Sequence, residues 1–172
     1  MEIPKALTLI INQLLDGAND FLKEGKEIEA AVFSFKVDGT GIKGAEFFSA
    51  EPFLKSTAMK EILVDVMNGL VKKGAADIVI MITEAWVLLL PADKFSKEDV
   101  VKIRPSQHPD KKEVVLFNIM TPTKQVIAQV FINREEDGTG SVDPSTIEFF
   151  DEGGEGALIR DPQDAVQPTQ LH

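Results

Sequence analysis

Cysteine and tyrosine are absent, tryptophan occurs once, and histidine occurs twice in 172 residues. Without cysteine there can be no disulfide, thiolate metal site or thiol nucleophile. The lack of thiol chemistry fits a reducing compartment, and the opening Met1-Glu2-Ile3-Pro4 has no basic region of the kind that starts a signal peptide. A cytoplasmic chain is therefore expected. No apolar run is long enough to span a bilayer, so no membrane partner is predicted. An excess of positive charge is missing too. The net charge is −10, which disfavours contact with nucleic-acid phosphates.

That acidity is unevenly placed. Residues 134–172 hold ten acids against two arginines, while the other 133 residues hold eighteen acids against sixteen bases. Residues 1–150 read as one domain, nearly neutral as far as residue 133. The segment 151–172, rich in Gly, Gln, Pro and acid, reads as a disordered or loosely docked tail that could engage a basic protein partner.

What the chain does have is one dense apolar stretch, Asp77 to Pro91, with the only tryptophan, Trp86, and a single carboxylate, Glu84, inside it. Its Ile, Val and Leu content predicts a strand covered on both faces. Around it the periodicity predicts helices over 4–24 and 53–73, each closed by a glycine, Gly25 or Gly74. Alternation predicts strands over 27–36, 45–48, 113–121, 124–134 and 147–150. Asp38-Gly39-Thr40-Gly41 is a hairpin signal, and the same tetrapeptide recurs at 137–140. A single helical turn is expected near 96–102, and Arg104-Pro105-Ser106-Gln107-His108-Pro109-Asp110 reads as an ordered loop.

These elements predict an α+β fold in the order α-β-β-α-β-β-β. It is a mostly antiparallel sheet with two principal helices on one face. Strands 77–90, 114–120 and 126–132 carry apolar residues on both parities, so the opposite face needs a cover. A second copy of the chain is the simplest one, and a homo-oligomer is expected.

Glu84 is the sharpest candidate for chemistry. A carboxylate inside an apolar strand must find a partner or take up a proton. It is either a general base with a raised pKa, or a side chain that reaches water at a bend of the strand or pairs with a lysine or arginine, and the second is the favoured alternative. His108 is the other residue to weigh, as a base in the loop or as a solvated side chain. One internal histidine and no cysteine leave no spacing for zinc, and no metal or cofactor is expected. The Asp-Gly-Thr-Gly turns fit neither an aspartic-protease motif nor an EF-hand. In the second case the twelfth position is Pro144 rather than a bidentate Glu. Phosphate-binding and hydrolase motifs are absent.

The segment Thr83-Glu84-Ala85-Trp86, then Arg104-Pro105-Ser106, then His108-Pro109-Asp110-Lys111-Lys112-Glu113-Val114-Val115 resembles a pattern in small bacterial and phage-associated proteins. There a Glu-Ala-Trp strand leads through a Pro-Ser loop to a basic-Glu-Val strand. The similarity covers residues 77–133 and implies no activity, since those proteins have none assigned. It marks Glu84, Arg104 and Glu113 as the polar residues to watch, with Arg104 salt-bridged to one or both acids. Three function classes follow. The first, and favoured, is a non-catalytic binding module acting as an oligomer. The others are a small hydrolase using Glu84 with His108 and Arg104, and a regulatory or phage-accessory protein whose acidic tail meets a basic partner.

Overall fold

A computed structural model describes residues 3–91, 107–151 and 165–169, the side chains of 89–91, 151 and 165–169 excepted. Helix α1 spans Ile3–Lys23 and buries Ala6, Ile10, Ile11, Leu15, Ala18 and Leu22. These recur at three- and four-residue spacing, so one stripe of the helix faces the core. At its end Gly25 takes φ +69°, which an L side chain would resist. The Lys26 N–H then reaches back to the Phe21 carbonyl at 3.0 Å.

Strands β1 (Ala31–Asp38) and β2 (Gly41–Ser49) form the expected hairpin. The turn is locked by Asp38, whose carboxylate accepts from the Thr40 N–H and hydroxyl, both at 2.7 Å. Helix α2 covers Thr57–Lys72, and the Ser56 hydroxyl caps it by accepting from the Met59 N–H at 3.2 Å. The periodicity had placed its start at 53. A 3-10 turn over Glu51–Phe53 takes up those first residues instead.

The remaining strands are β3 (Ile78–Pro91), β4 (Lys112–Met120), β5 (Gln125–Arg134), β6 (Gly140–Val142), β7 (Glu148–Asp151) and β8 (Ala165–Thr169). The sheet order is β2-β1-β3-β4-β5-β6; β7 also pairs β5, and β8 pairs β3. Every pairing is antiparallel except β3 with β8. The fold is α+β, and β3 is an interior strand. Of the segment 151–172, residues 165–169 are β8 and Asp151 ends β7; the others lie outside the described residues. The helical turn expected near 96–102 lies outside them as well.

One expectation is overturned: the two helices do not share a face. Ile78, Ile80 and Ile82 of β3 cluster with Ile10, Ile11, Leu15 and Leu22 of α1. Val79 and Met81, pointing the other way, cluster with Leu63, Met67 and Val71 of α2. The connectivity explains this. β2 and β3 both run antiparallel to β1, so they are parallel to each other, and α2 must cross over a sheet face to join them. With α1 on one face, α2 takes the other.

This removes much of the reason for expecting a homo-oligomer, which started from an uncovered second face. A third cluster, Ala85, Val87, Val114 and Leu116 with Ile127 and Phe131, lies further along the α2 face and includes no residue of either helix. Between the second and third clusters each central strand places one buried polar residue, Thr83, Asn118 or Gln129.

Candidate functional site

The central strand outruns its neighbour. β1 pairs with β3 only as far as Ala31 opposite Ile82, whereas β3 continues to Pro91. Val87 pairs with Lys112 of β4 and also with Ala165 of β8, so β8 lies on the edge that β1 has vacated. Residues 83–86 fall between the two. On that edge they have no strand partner among the described residues.

Beside this gap, on the α1 face, three charges meet. Glu84, Glu113 and Arg134 each stand two residues beyond the last apolar residue of the α1-facing parity, namely Ile82, Val115 and Ile132. The register Glu84↔Val115↔Val130 and Trp86↔Glu113 brings them to one end of the sheet. The Arg134 guanidinium donates to both Glu113 oxygens, Nε to Oε2 at 2.9 Å and Nη2 to Oε1 at 3.3 Å. The same Nη2 donates to Glu84 Oε1 at 3.2 Å. Glu84 Oε1 also accepts from the Ile28 N–H at 3.1 Å, which ties the segment before β1 to the site. Gly140 packs closely against this site. A Cβ there would stand 3.3 Å from Arg134 Cδ.

One guanidinium serves two carboxylates, and this division sets the electrostatics. The hydrogen bonds that Arg134 donates to Glu113, then the charge of Glu113, hold Arg134 firmly in the cationic form. Glu84 is worse provided for. Its burial pushes the carboxyl pKa above the usual range; the Ile28 N–H and Arg134 pull it down, and the nearby charges of Glu113 and Glu27 add to the rise. Their side chains are 18% exposed for each acid and 25% for Arg134, so the cluster is shielded without being sealed.

A cleft of about 420 Å³ opens along the free stretch of β3. Glu27, Glu51, Glu84 and Glu113 line it, with Lys55 the only base of its wall among the described residues and Trp86, Leu54 and Ile28 the large apolar walls. Glu51 shapes it as Glu84 does, accepting from the Ala30 N–H at 2.9 Å. The Trp86 ring carries the Lys111 ammonium 4.2 Å from its centre, a cation–π contact.

Of the residues singled out in the sequence, Glu84 and Glu113 are brought together. His108 is not part of the cleft wall; its Nδ1 accepts from the Asp110 N–H at 3.1 Å, a local loop contact. Arg104 lies outside the described residues, and the arginine that joins the two acids is Arg134. The resemblance marks Arg104 because it stands in the Arg104-Pro105-Ser106 motif, and the similar stretch, residues 77–133, ends just before Arg134. Parity held the missing signal: Arg134 continues the series Val126, Ala128, Val130, Ile132 as Glu84 continues Ile78, Ile80, Ile82. Among the described residues no group of three His, Asp or Glu could hold a metal ion.

Comparisons with protein-family models, curated proteins and solved structures return no match. The resemblance of residues 77–133 to small bacterial and phage-associated proteins gains no support from them.

Proposed function

We propose that the chain is a non-catalytic binding module whose cleft over residues 83–86 receives a positively charged group, an ammonium or guanidinium. One observation carries this reading: Glu27, Glu51, Glu84 and Glu113 line a single open cleft with one lysine among the described residues, and Arg134 is shared by only two of the four acids. Such a wall favours cations by charge, as the Lys111 ammonium over the Trp86 ring illustrates. A hydrolase reading has less behind it. Glu84 is already engaged by Ile28 and Arg134, and His108 has only loop partners. The absence of cysteine is compatible with work in the cytoplasm.

Trp86 is the only tryptophan, so its fluorescence reports on this cleft alone. Titration with acetyl-arginine amide or acetyl-lysine amide is expected to give a saturable change that weakens with added salt. Glu27→Lys, an exposed wall position, is expected to diminish it. An equal response to the uncharged acetyl-lysine analogue, or none, would remove the reading.

Self-association is a separate part of the proposal. Its support is Phe47 on edge strand β2, 74% exposed and stacked on Phe33 at 5.7 Å. Phe47→Ser is expected to leave a monomer in light scattering if that surface joins two copies. A monomeric parent chain would dismiss the idea.

A further inference from the structure

We infer that the edge of β3 from Thr83 to Pro91 accepts an extended, positively charged segment as an added parallel strand, with the chain's own β8 as a resident but incomplete occupant. The inference rests on the cationic reading of the cleft and names the form the ligand takes. Main-chain hydrogen bonding to a free sheet edge is a general route to peptide recognition.

Three observations support it. β8 uses only Val87 to Pro91, leaving the four residues before them facing the cleft. β8 is also a weak occupant, because it is five residues long, parallel, and carries Pro168 opposite Leu90. Parallel pairs are slightly less stable than antiparallel ones, and proline has no N–H to give the ladder.

The third observation is the register. Continued one residue back it would set Asp164 opposite Trp86, and three back it would set Pro162 opposite Glu84. Such a continuation would bring a carboxylate to a wall holding Glu27, Glu84 and Glu113, and a residue without an N–H to the middle of the gap. Asp161 would add a further negative charge opposite Thr83. The sequence of this segment thus suits the upper part of the edge and is mismatched to the lower part. A partner strand with lysine or arginine at the two aspartate positions would reverse the sign and pair along the whole edge.

The test uses the full chain and a peptide of residues 161–169 carrying D161K, P162T, D164K and P168T, amidated and acetylated. It is expected to change Trp86 fluorescence saturably and to slow hydrogen exchange at residues 83–86. A peptide of the native 161–169 sequence should bind more weakly. In the full chain, V166P/Q167P removes both central N–H groups of β8, one of which faces β3. The altered peptide should then bind about tenfold more tightly, as expected where β8 holds the edge nine-tenths of the time. As a second line, D161K/D164K within the chain should slow exchange over 83–91 with no peptide present.

Binding without protection at 83–86, or with an affinity that V166P/Q167P leaves unchanged, would overturn the added-strand inference. If acetyl-arginine amide binds and the peptide binds no better, the inference fails while the cationic cleft stands. If neither binds, both fail.

Discussion

The two halves of β3 share one continuous backbone, yet they do different work. Ile78 to Ile82 are buried between α1 and α2, and from Val79 on they are paired on both edges. Thr83 to Trp86 keep β4 on one edge, while β1 has ended on the other, and a charged cluster replaces the apolar packing of the α1 face. The lesson is that a neighbouring strand stopping early changes what the rest of a strand meets. Where β1 ends, β3 has no strand partner on that edge over residues 83–86 among the described residues, and those residues line a cleft.

The contrast can be broken most severely from the dry half. Phe117→Ala removes a fully buried ring opposite Ile82. It should destabilise the fold by about 3–5 kcal/mol in denaturant titration, at every pH. Arg134→Met strikes the charged half by leaving Glu84 and Glu113 shielded without their cation. The expected loss is about 2–3 kcal/mol at pH 7, below the figure for a fully buried pair because the groups are partly exposed. Unlike the first loss, it should shrink on acidification as the carboxylates take up protons. A pH-independent loss would mean the guanidinium matters only for packing.

Glu84→Gln sharpens the contrast further. The folded chain raises the Glu84 pKa above its ordinary 4.5, so folding binds that proton more tightly than the unfolded chain does. The associated stability is complete below about that pH and is lost as pH rises through the folded value. The stability of the Gln variant relative to the parent should therefore climb with pH from about 4.5 upward. A relative stability that falls with pH would show Arg134 outweighing burial.

The smallest effect belongs to the hairpin far from both halves. Thr40 lowers the Asp38 pKa to about 2 by side-chain and backbone hydrogen bonds. A lowered value gives stability that is present at neutral pH and is lost as pH falls from about 3.8 towards 2. Asp38→Asn should reduce stability slightly at pH 7, and the reduction should shrink as pH falls towards 2.

Much of this was legible along the chain. The dense apolar stretch predicted over 77–91 is β3, and the first seven elements occur in the expected order. Asp38 to Gly41 make the expected turn because Asp, Gly and Thr supply the local hydrogen bonds themselves. Glu84 was marked because charge in an apolar strand always needs an answer. The answer, Arg134, lies fifty residues away, and only the strand register could find it. The shared helix face was misread for a related reason. When both parities of a strand are apolar, its pattern demands a cover on each face without saying which helix provides it.

The sequence by itself determined the local elements, their order, and the need for Glu84 to be compensated, because propensity, periodicity and burial cost act within short stretches. Only the tertiary structure decided that the helices take opposite faces, that Arg134 serves two acids, and that four residues of β3 face a cleft. Those facts depend on where strands end relative to one another and on how a crossover passes the sheet. Distances across a fold are set by pairing, which no single stretch of chain contains.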